Sequence, residues 1–320
     1  MKRLFFYKDG DLFYDKDHQH RVPDTNPTYN IVRSIRIPPH LRDVVVIEQT
    51  LEDAQRGLVF VGVDSRGRKQ YFYGRLHVQT RNKNRDKIFV CVYGIMNSIH
   101  QFIDGNLGHE TDSVKAQLAV FLLMETSFYI RTGKVRYYRD NNTVGLLTLK
   151  NQHLHVDSNR LRIRFRGKDK VAHEFIVHSG DRLYKPLAML HRPDEPDAFL
   201  FSKLSERIVY RCVRRFGLRV KDLRTYGVNV TFLRNLWSNV KNLPALPTTK
   251  KLVALSLSQT ADAIGHSPGI ARQAYMAMTV LELARDGSVF ESIRNKTFPE
   301  FLDYIVGYVK NRCGDKWTKE

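Results

Sequence analysis

Leu58-Val59-Phe60-Val61-Gly62-Val63, the turn Asp64-Ser65-Arg66-Gly67 and Lys69-Gln70-Tyr71-Phe72-Tyr73 make the clearest hairpin in the chain. A β-branched run, a polar tip with a glycine and an aromatic run are what two paired strands need. Toward the amino terminus, Leu4 to Tyr7 runs into Lys8-Asp9-Gly10-Asp11, a second hairpin signal, with Leu12-Phe13-Tyr14 beyond it. Ile31 to Ile37 is β-branched and stops at Pro38-Pro39, and Val44-Val45-Val46-Ile47 has the pattern of a buried strand. Residues 1–80 are therefore expected to form a small antiparallel β domain. Residues 81–87 (Arg81-Asn82-Lys83-Asn84-Arg85-Asp86-Lys87) hold no apolar side chain and have the composition of a basic interdomain linker. From Ile88 the apolar spacing turns helical, so residues 88–320 are expected to form a larger, mainly helical domain carrying a β-hairpin patch. The fold class is α+β.

The 320-residue chain carries 52 Lys and Arg against 33 Asp and Glu, a formal charge of +19. At 42% apolar and 11% aromatic residues it is globular, and long enough for two cores. The charge excess predicts a polyanionic partner, nucleic acid first, because binding releases condensed counterions. Period-2 alternation sets Lys69, Tyr71, Tyr73 and Arg75 on one strand face. Basic and phenolic groups sharing a face suit DNA phosphates and base edges; tyrosines that merely cover a sheet would give the same pattern. The three cysteines, Cys91, Cys212 and Cys313, form no CxxC pair and no disulfide framework, which suits a reducing compartment. The apolar run Leu4 to Tyr7 is too short for a signal peptide and nothing approaches a membrane span, so an intracellular protein with no membrane partner is expected.

In the second domain, Ser113 to Ile130 has helical apolar spacing, capped by Asp112 or Ser113. Arg131 follows at its end, where a cation offsetting the helix dipole is the ordinary role. Leu161, Ile163 and Phe165 alternate with Arg160, Arg162, Arg164 and Arg166. Lys168 sits beyond them at a hairpin tip, Gly167-Lys168-Asp169-Lys170, before Val171 to Val177 returns. Helices are expected over Phe201–Phe216, Leu223–Val240, Leu252–Ile264, Ile270–Asp286 and Phe298–Arg312, with Pro244 and Pro247 in one gap and Gly265 as a stop. Ile264-Gly265-His266-Ser267-Pro268 then offers a histidine at the mouth of a helix, with Tyr275 on the body of that helix. No clustered carboxylates accompany the His153/His155 pair, and Asp15 and Asp17 beside the His18/His20 pair sit in a loop-like polar run, so no metal is expected.

Lys221-Asp222-Leu223-Arg224-Thr225-Tyr226-Gly227, with Ile264-Gly265-His266 and Tyr275, resembles the catalytic half shared by type IB topoisomerases and tyrosine recombinases. Phe5 to Gly10, Gln70 to Gly74, Gly145 to Lys150, Gly167 to Lys170, Lys203 to Arg207, Lys221 to Asn229 and Ala274-Tyr275-Met276-Ala277 are more narrowly similar to the poxvirus type IB topoisomerases. The resemblance covers nearly the whole chain. It implies that Tyr275 is the nucleophile that joins the 3′ phosphate of a cut strand. It further implies that Arg131, Arg224 and His266 hold the non-bridging oxygens, and that Lys168 protonates the leaving 5′ oxygen. Lys221 stands where recombinases usually have a histidine, which favours the topoisomerase branch. Gln70, Tyr71 and Tyr73 match the family's major-groove readers, and Lys134, Arg136 and Tyr137 a second DNA-contacting group. The same resemblance implies double-stranded DNA as partner, (C/T)CCTT as cleavage site, a monomer acting as a clamp, and a place in the virion and host cytoplasm.

The chemistry is consistent with that family. A free phenol ionises near pH 10, so only about one in a thousand is phenolate at pH 7. Guanidinium groups lower the cost of phenolate and of the charge that builds in the transition state. A phosphotyrosine replaces one phosphodiester by another, so no ATP or other cofactor is implied, and the chain has no GxxxxGK loop. A tyrosine recombinase and a non-catalytic basic DNA-binding protein remain the rivals.

Overall fold

The computed structural model describes residues 2–65, 67–108, 113–243, 245 and 247–313, with the backbone alone at Asp169. Arg66 of the expected turn, Asp112 as the alternative cap and Pro244 lie outside the described residues. The chain divides into two compact units, Met1–Asn84 and Arg85–Glu320.

The first unit is an antiparallel sheet of β1 (Leu4–Lys8), β2 (Asp11–Phe13), β3 (Arg42–Ile47), β4 (Leu58–Val63) and β5 (Lys69–Tyr73), in the order β2-β1-β3-β4-β5. Its core gathers Phe5, Leu12, Val44, Val46, Val59 and Phe60, with Phe72 stacked on Phe60 at 4.3 Å. Two short helices accompany it, α1 (Tyr29–Ser34) and α2 (Leu51–Arg56). α1 replaces the strand expected at Ile31–Ile37. Tyr29 and Ile31 bury into the core, and the Tyr29 hydroxyl donates to the Val22 carbonyl at 3.1 Å and accepts from the Leu12 amide at 3.2 Å. Such tertiary bonds override a weak β preference. The expected tyrosine face is present on β5, with Lys69, Tyr71 and Tyr73 exposed, but Arg75 is not part of it because a helix begins there.

That helix, α3 (Arg75–Asp104), contains all of residues 81–87. The basic run is therefore helical rather than an irregular linker, and the division between the units falls within it. Arg85 and Asp86 are also buried instead of solvated, at 5% and 6% exposure. An apolar-free sequence conceals such burial, since it depends on polar partners elsewhere in the chain.

The second unit continues with α4 (Val114–Phe128), α5 (Val135–Asn141), a three-stranded antiparallel sheet β6 (Leu154–Val156), β7 (Arg160–Arg166) and β8 (Ala172–His178), then α6 (Tyr184–Leu190) and α7 (Glu206–Arg215). α8 (Val220–Asn242), α9 (Thr249–Ile264), α10 (Pro268–Ala274), α11 (Met278–Arg285), α12 (Val289–Arg294) and α13 (Phe298–Cys313) complete it. The long α8 is the hub, packed against α4, α7, α9, α12 and α13. β7 alternates as read, Leu161, Ile163 and Phe165 inward, with Arg162 half-buried and Arg160, Arg164 and Arg166 exposed. Asp157 and Glu174 pair with three of those arginines. No described helix is long and apolar enough to cross a membrane.

Two helix ends depart from expectation in ways that matter for the site. α4 is capped by Ser113, whose hydroxyl accepts from the Ala116 amide at 3.1 Å, but it stops at Phe128, with Tyr129 left-handed at φ 50. Arg131 thus lies two residues beyond the C-cap, with its guanidinium at His266. The expected Ile270–Asp286 helix is interrupted, and Tyr275 ends α10 instead of standing on a helix body. The Tyr129 ring lies against Gly227 of α8, where an added methyl would overlap it. Gly227→Ala should therefore lose about 1–3 kcal/mol of stability from overpacking, despite alanine's better helix propensity. Equilibrium unfolding in urea measures this; unchanged or raised stability would contradict the packing.

Candidate active site

Four elements of the second unit converge. α8 supplies Lys221, Arg224 and Asn229 from its first half. α9 ends at Gly265, left-handed at φ 68, and the turn is closed by the His266 amide donating to the Ala261 carbonyl at 2.8 Å. Ser267 then caps α10, accepting from the Ile270 amide at 3.3 Å, with Pro268 at the first helical position. This brings the His266 ring to 5.0 Å from the Tyr275 ring, nearly parallel at 29°. Arg131, in the segment after α4, approaches from the far side of the imidazole.

Arg224 is 4% exposed and organises the cluster. Its Nη1 donates to the Tyr129 carbonyl, and its Nη2 to the Ile264 carbonyl and to His266 Nε2, both at 3.0 Å. Arg131 Nη2 lies 3.4 Å from His266 Nδ1. A neutral imidazole has one acceptor and one donor nitrogen, and guanidinium groups only donate. One nitrogen can therefore accept from an arginine, while the other presents an N–H among cations. An incoming phosphate oxygen would resolve that conflict by accepting from all three groups. Burial first, then the charges of Arg224 and Arg131, depress the His266 pKa to about 3, so the ring is neutral at physiological pH. Burial also lowers the Arg224 guanidinium to about 10, which leaves it charged. Nearby Glu125 is buried too, and desolvation lifts its carboxyl to about 8, so at neutral pH it cancels little of the positive charge.

Tyr275, 8% exposed, lies within this cluster: the Arg224 guanidinium and Lys221 Nζ stand 5.9 and 5.7 Å from its ring centre. Lys221, expected among DNA-contacting residues, is thus placed beside the tyrosine. The segment around Tyr275 is pinned by residues with no role expected from sequence. Asn229, fully buried, donates to the Tyr275 carbonyl at 3.1 Å and accepts from the Ala277 amide at 2.8 Å. Arg85 donates to the Met276 carbonyl at 3.1 Å, while Asp86 accepts from the Thr279 amide and hydroxyl at 3.2 and 2.8 Å. Asn229 lies within a quoted motif, but no spacing rule links Arg85 and Asp86 to a loop some 190 residues away.

The remaining expected residues are not drawn into the cluster. Lys168 is exposed at the β7–β8 tip, and its charge is among those that bear on His266. Lys134 pairs with Glu206 at 3.5 Å, Arg136 with Asp140 at 3.4 Å, and Tyr137 is 53% exposed. In the first unit, Tyr71 and Tyr73 are exposed on one face of β5. Gln70 is on the other, donating to Asp64 at 2.8 Å. His153 is committed locally, its Nδ1 accepting from the Lys150 amide at 2.9 Å.

The depressed histidine has a consequence for stability. The unfolded chain binds a proton at His266 near pH 6.5 and the folded protein only near 3. Stability is therefore complete above about pH 6.5 and is lost as pH falls toward 3. At pH 5 this site should cost of order 1–2 kcal/mol relative to pH 7. His266→Gln should show a correspondingly smaller drop in unfolding free energy between pH 7 and pH 5. An identical drop in both proteins would contradict a half-buried imidazole held neutral.

A family model described as viral DNA topoisomerase I, N-terminal, matches residues 5–62, and one described as eukaryotic DNA topoisomerase I, catalytic core, matches residues 92–288. The chain is 53% identical over 309 residues to the DNA topoisomerase 1B of vaccinia virus (strain Copenhagen), spanning 97% of this chain and 98% of the relative. It is 53% identical over 310 residues to the DNA topoisomerase 1 of rabbit fibroma virus, with the same coverage. To the DNA topoisomerase 1B of Acanthamoeba polyphaga mimivirus it is 25% identical over 337 residues, 97% of this chain and 95% of that one. The two family models fall on the two compact units, and the poxvirus likeness runs almost end to end. With a tyrosine set among arginines and a neutral histidine in the unit that matches the catalytic core, the chain belongs to the poxvirus type IB DNA topoisomerases.

Proposed function

We propose that this enzyme relaxes supercoiled duplex DNA, without ATP or metal, by reversible transesterification at Tyr275. The Tyr275 hydroxyl oxygen attacks a backbone phosphorus, losing its proton to solvent. The bond from phosphorus to the 5′ oxygen breaks, and Lys168 gives that oxygen its proton. The strand with the free 5′ hydroxyl rotates about its partner, and the reverse steps reseal it. Arg131, Arg224 and one N–H of His266 bind the non-bridging oxygens, most strongly as charge accumulates on them in the transition state. Lys221 adds positive charge beside the phenol.

What carries this assignment is the Tyr275 ring lying against both His266, at 5.0 Å, and the guanidinium of Arg224, at 5.9 Å, in a cluster where the buried Glu125 carboxyl is pushed up to about 8. A tyrosine serving only to fill a core would not need that company. For DNA contact, the exposed Tyr71 and Tyr73 would read the major groove, Gln70 joining them on release of its bond to Asp64, and Lys134, Arg136 and Tyr137 would hold the backbone. Selection of (C/T)CCTT and action as a monomeric clamp complete the proposal.

Incubation with supercoiled plasmid in EDTA, without ATP, should give relaxed circles. Tyr275→Phe should abolish relaxation, by at least about 10⁴-fold for loss of a nucleophile, while duplex binding survives. Relaxation retained in that variant would place the nucleophile elsewhere. Exchanged strands between paired sites would favour a recombinase, and binding without any nicking a non-catalytic protein.

A further inference from the structure

His173 is a half-buried titratable group close to the cluster that the transesterification scheme leaves without a role. It lies on β8 opposite Phe165 of β7, in the row His173, Phe175, Val177, while the alternate residues Ala172, Glu174, Ile176 and His178 are exposed. Its ring stacks on Phe165 at 4.9 Å and 19°, with Phe175 beyond at 6.0 Å and 15°. An inward place in such a row ordinarily belongs to an apolar residue.

Two glycines flank this ring. A methyl group on Gly265 would overlap His173 Cε1, and one on Gly167 would stand 2.8 Å from His173 Nε2. Gly265 precedes His266, and Gly167 precedes Lys168. A single imidazole therefore fills the space between the two backbone turns that present those groups. Burial first, then Arg224 and Arg131, keep the ring neutral, with its pKa depressed to about 4. A neutral ring can pack on both turns without adding a further cation to the cluster.

We infer that His173 is a positioning residue for Lys168: its ring docks the β7–β8 tip onto the Gly265–His266 turn and so fixes where the lysine ammonium meets the leaving oxygen. Lys168–Lys170 is one short turn, closed by the Gly167 amide donating to the Val171 carbonyl at 2.8 Å, and Lys168 itself is exposed. Displacing a reacting group by about 1 Å can cost on the order of 100-fold in rate. The inference rests on the proposal that Lys168 is the proton donor.

The test is single-turnover cleavage with enzyme in excess, on a duplex with the ordinary bridging 5′ oxygen and on one with 5′ sulfur at the same phosphate. A thiolate leaves without being protonated, so sulfur removes the need for the donor and nothing else. His173→Ala should slow cleavage about 30- to 100-fold on oxygen and stay within about 3-fold of the unmodified enzyme on sulfur. Gly167→Ala, which pushes on the ring from the other side, should give the same pattern, so the conclusion does not depend on one variant folding well. Equal slowing on both substrates, or no slowing on oxygen, overturns the inference. Lys168→Ala is run in parallel. If sulfur restores Lys168→Ala but not His173→Ala, the positioning role fails alone; if sulfur does not restore Lys168→Ala, the donor proposal fails and takes the positioning role with it.

Discussion

The Arg224 guanidinium is almost wholly buried, and its hydrogen bonds go to the Tyr129 and Ile264 carbonyls and to a neutral imidazole instead of to a carboxylate. A cation taken out of water without a counter-ion is costly, and proteins usually avoid it or pair it. Here the buried acid whose charge bears on it, Glu125, is itself pushed toward its neutral form. The site thus holds uncompensated positive charge in a place that only an anion can settle. A phosphodiester gaining charge in its transition state is such an anion, and the interaction strengthens as the charge develops.

Much of the second unit follows from holding that one group. The Tyr129 carbonyl is available because α4 ends in a left-handed residue whose ring rests on Gly227, where a side chain would intrude. The Ile264 carbonyl is available because α9 stops at Gly265, and the same stop delivers His266. α8 carries Arg224 near its start and Asn229 about one and a half turns later, so one rigid helix fixes both the cation and the backbone of the tyrosine it faces. Three helix ends and one hub therefore set the geometry, rather than any long loop.

What the sequence made legible was what depends on local pattern or on a short motif. The β5 and β7 alternations, the Ser113 cap and the Gly265 stop need only neighbouring residues, and each appears in the structure. The cluster of Tyr275, Arg224, His266 and Arg131 was legible through family resemblance, and the fold brings those four together. Other features depend on partners far along the chain. α1 is helical because Tyr29 reaches Val22 and Leu12, against the β preference of its own residues. Arg85 and Asp86 sit in a run that looked solvated, yet their bonds to residues 276 and 279 bury them. The break at Tyr275 was hidden because residues 270–286 keep helical apolar spacing through it, while Asn229 draws the backbone out of the helix by bonding to residues 275 and 277.

The central claim is that the Tyr275 oxygen becomes covalently joined to the 3′ side of a cut strand. Denaturing the enzyme during turnover on an end-labelled duplex, digesting it with protease and sequencing the DNA-linked peptide by mass spectrometry tests this directly. The account predicts a nucleotide attached through phosphate to Tyr275, with the phosphate on the 3′ end and a free 5′ hydroxyl on the other fragment. Attachment at another residue, or at a 5′ phosphate, would contradict it.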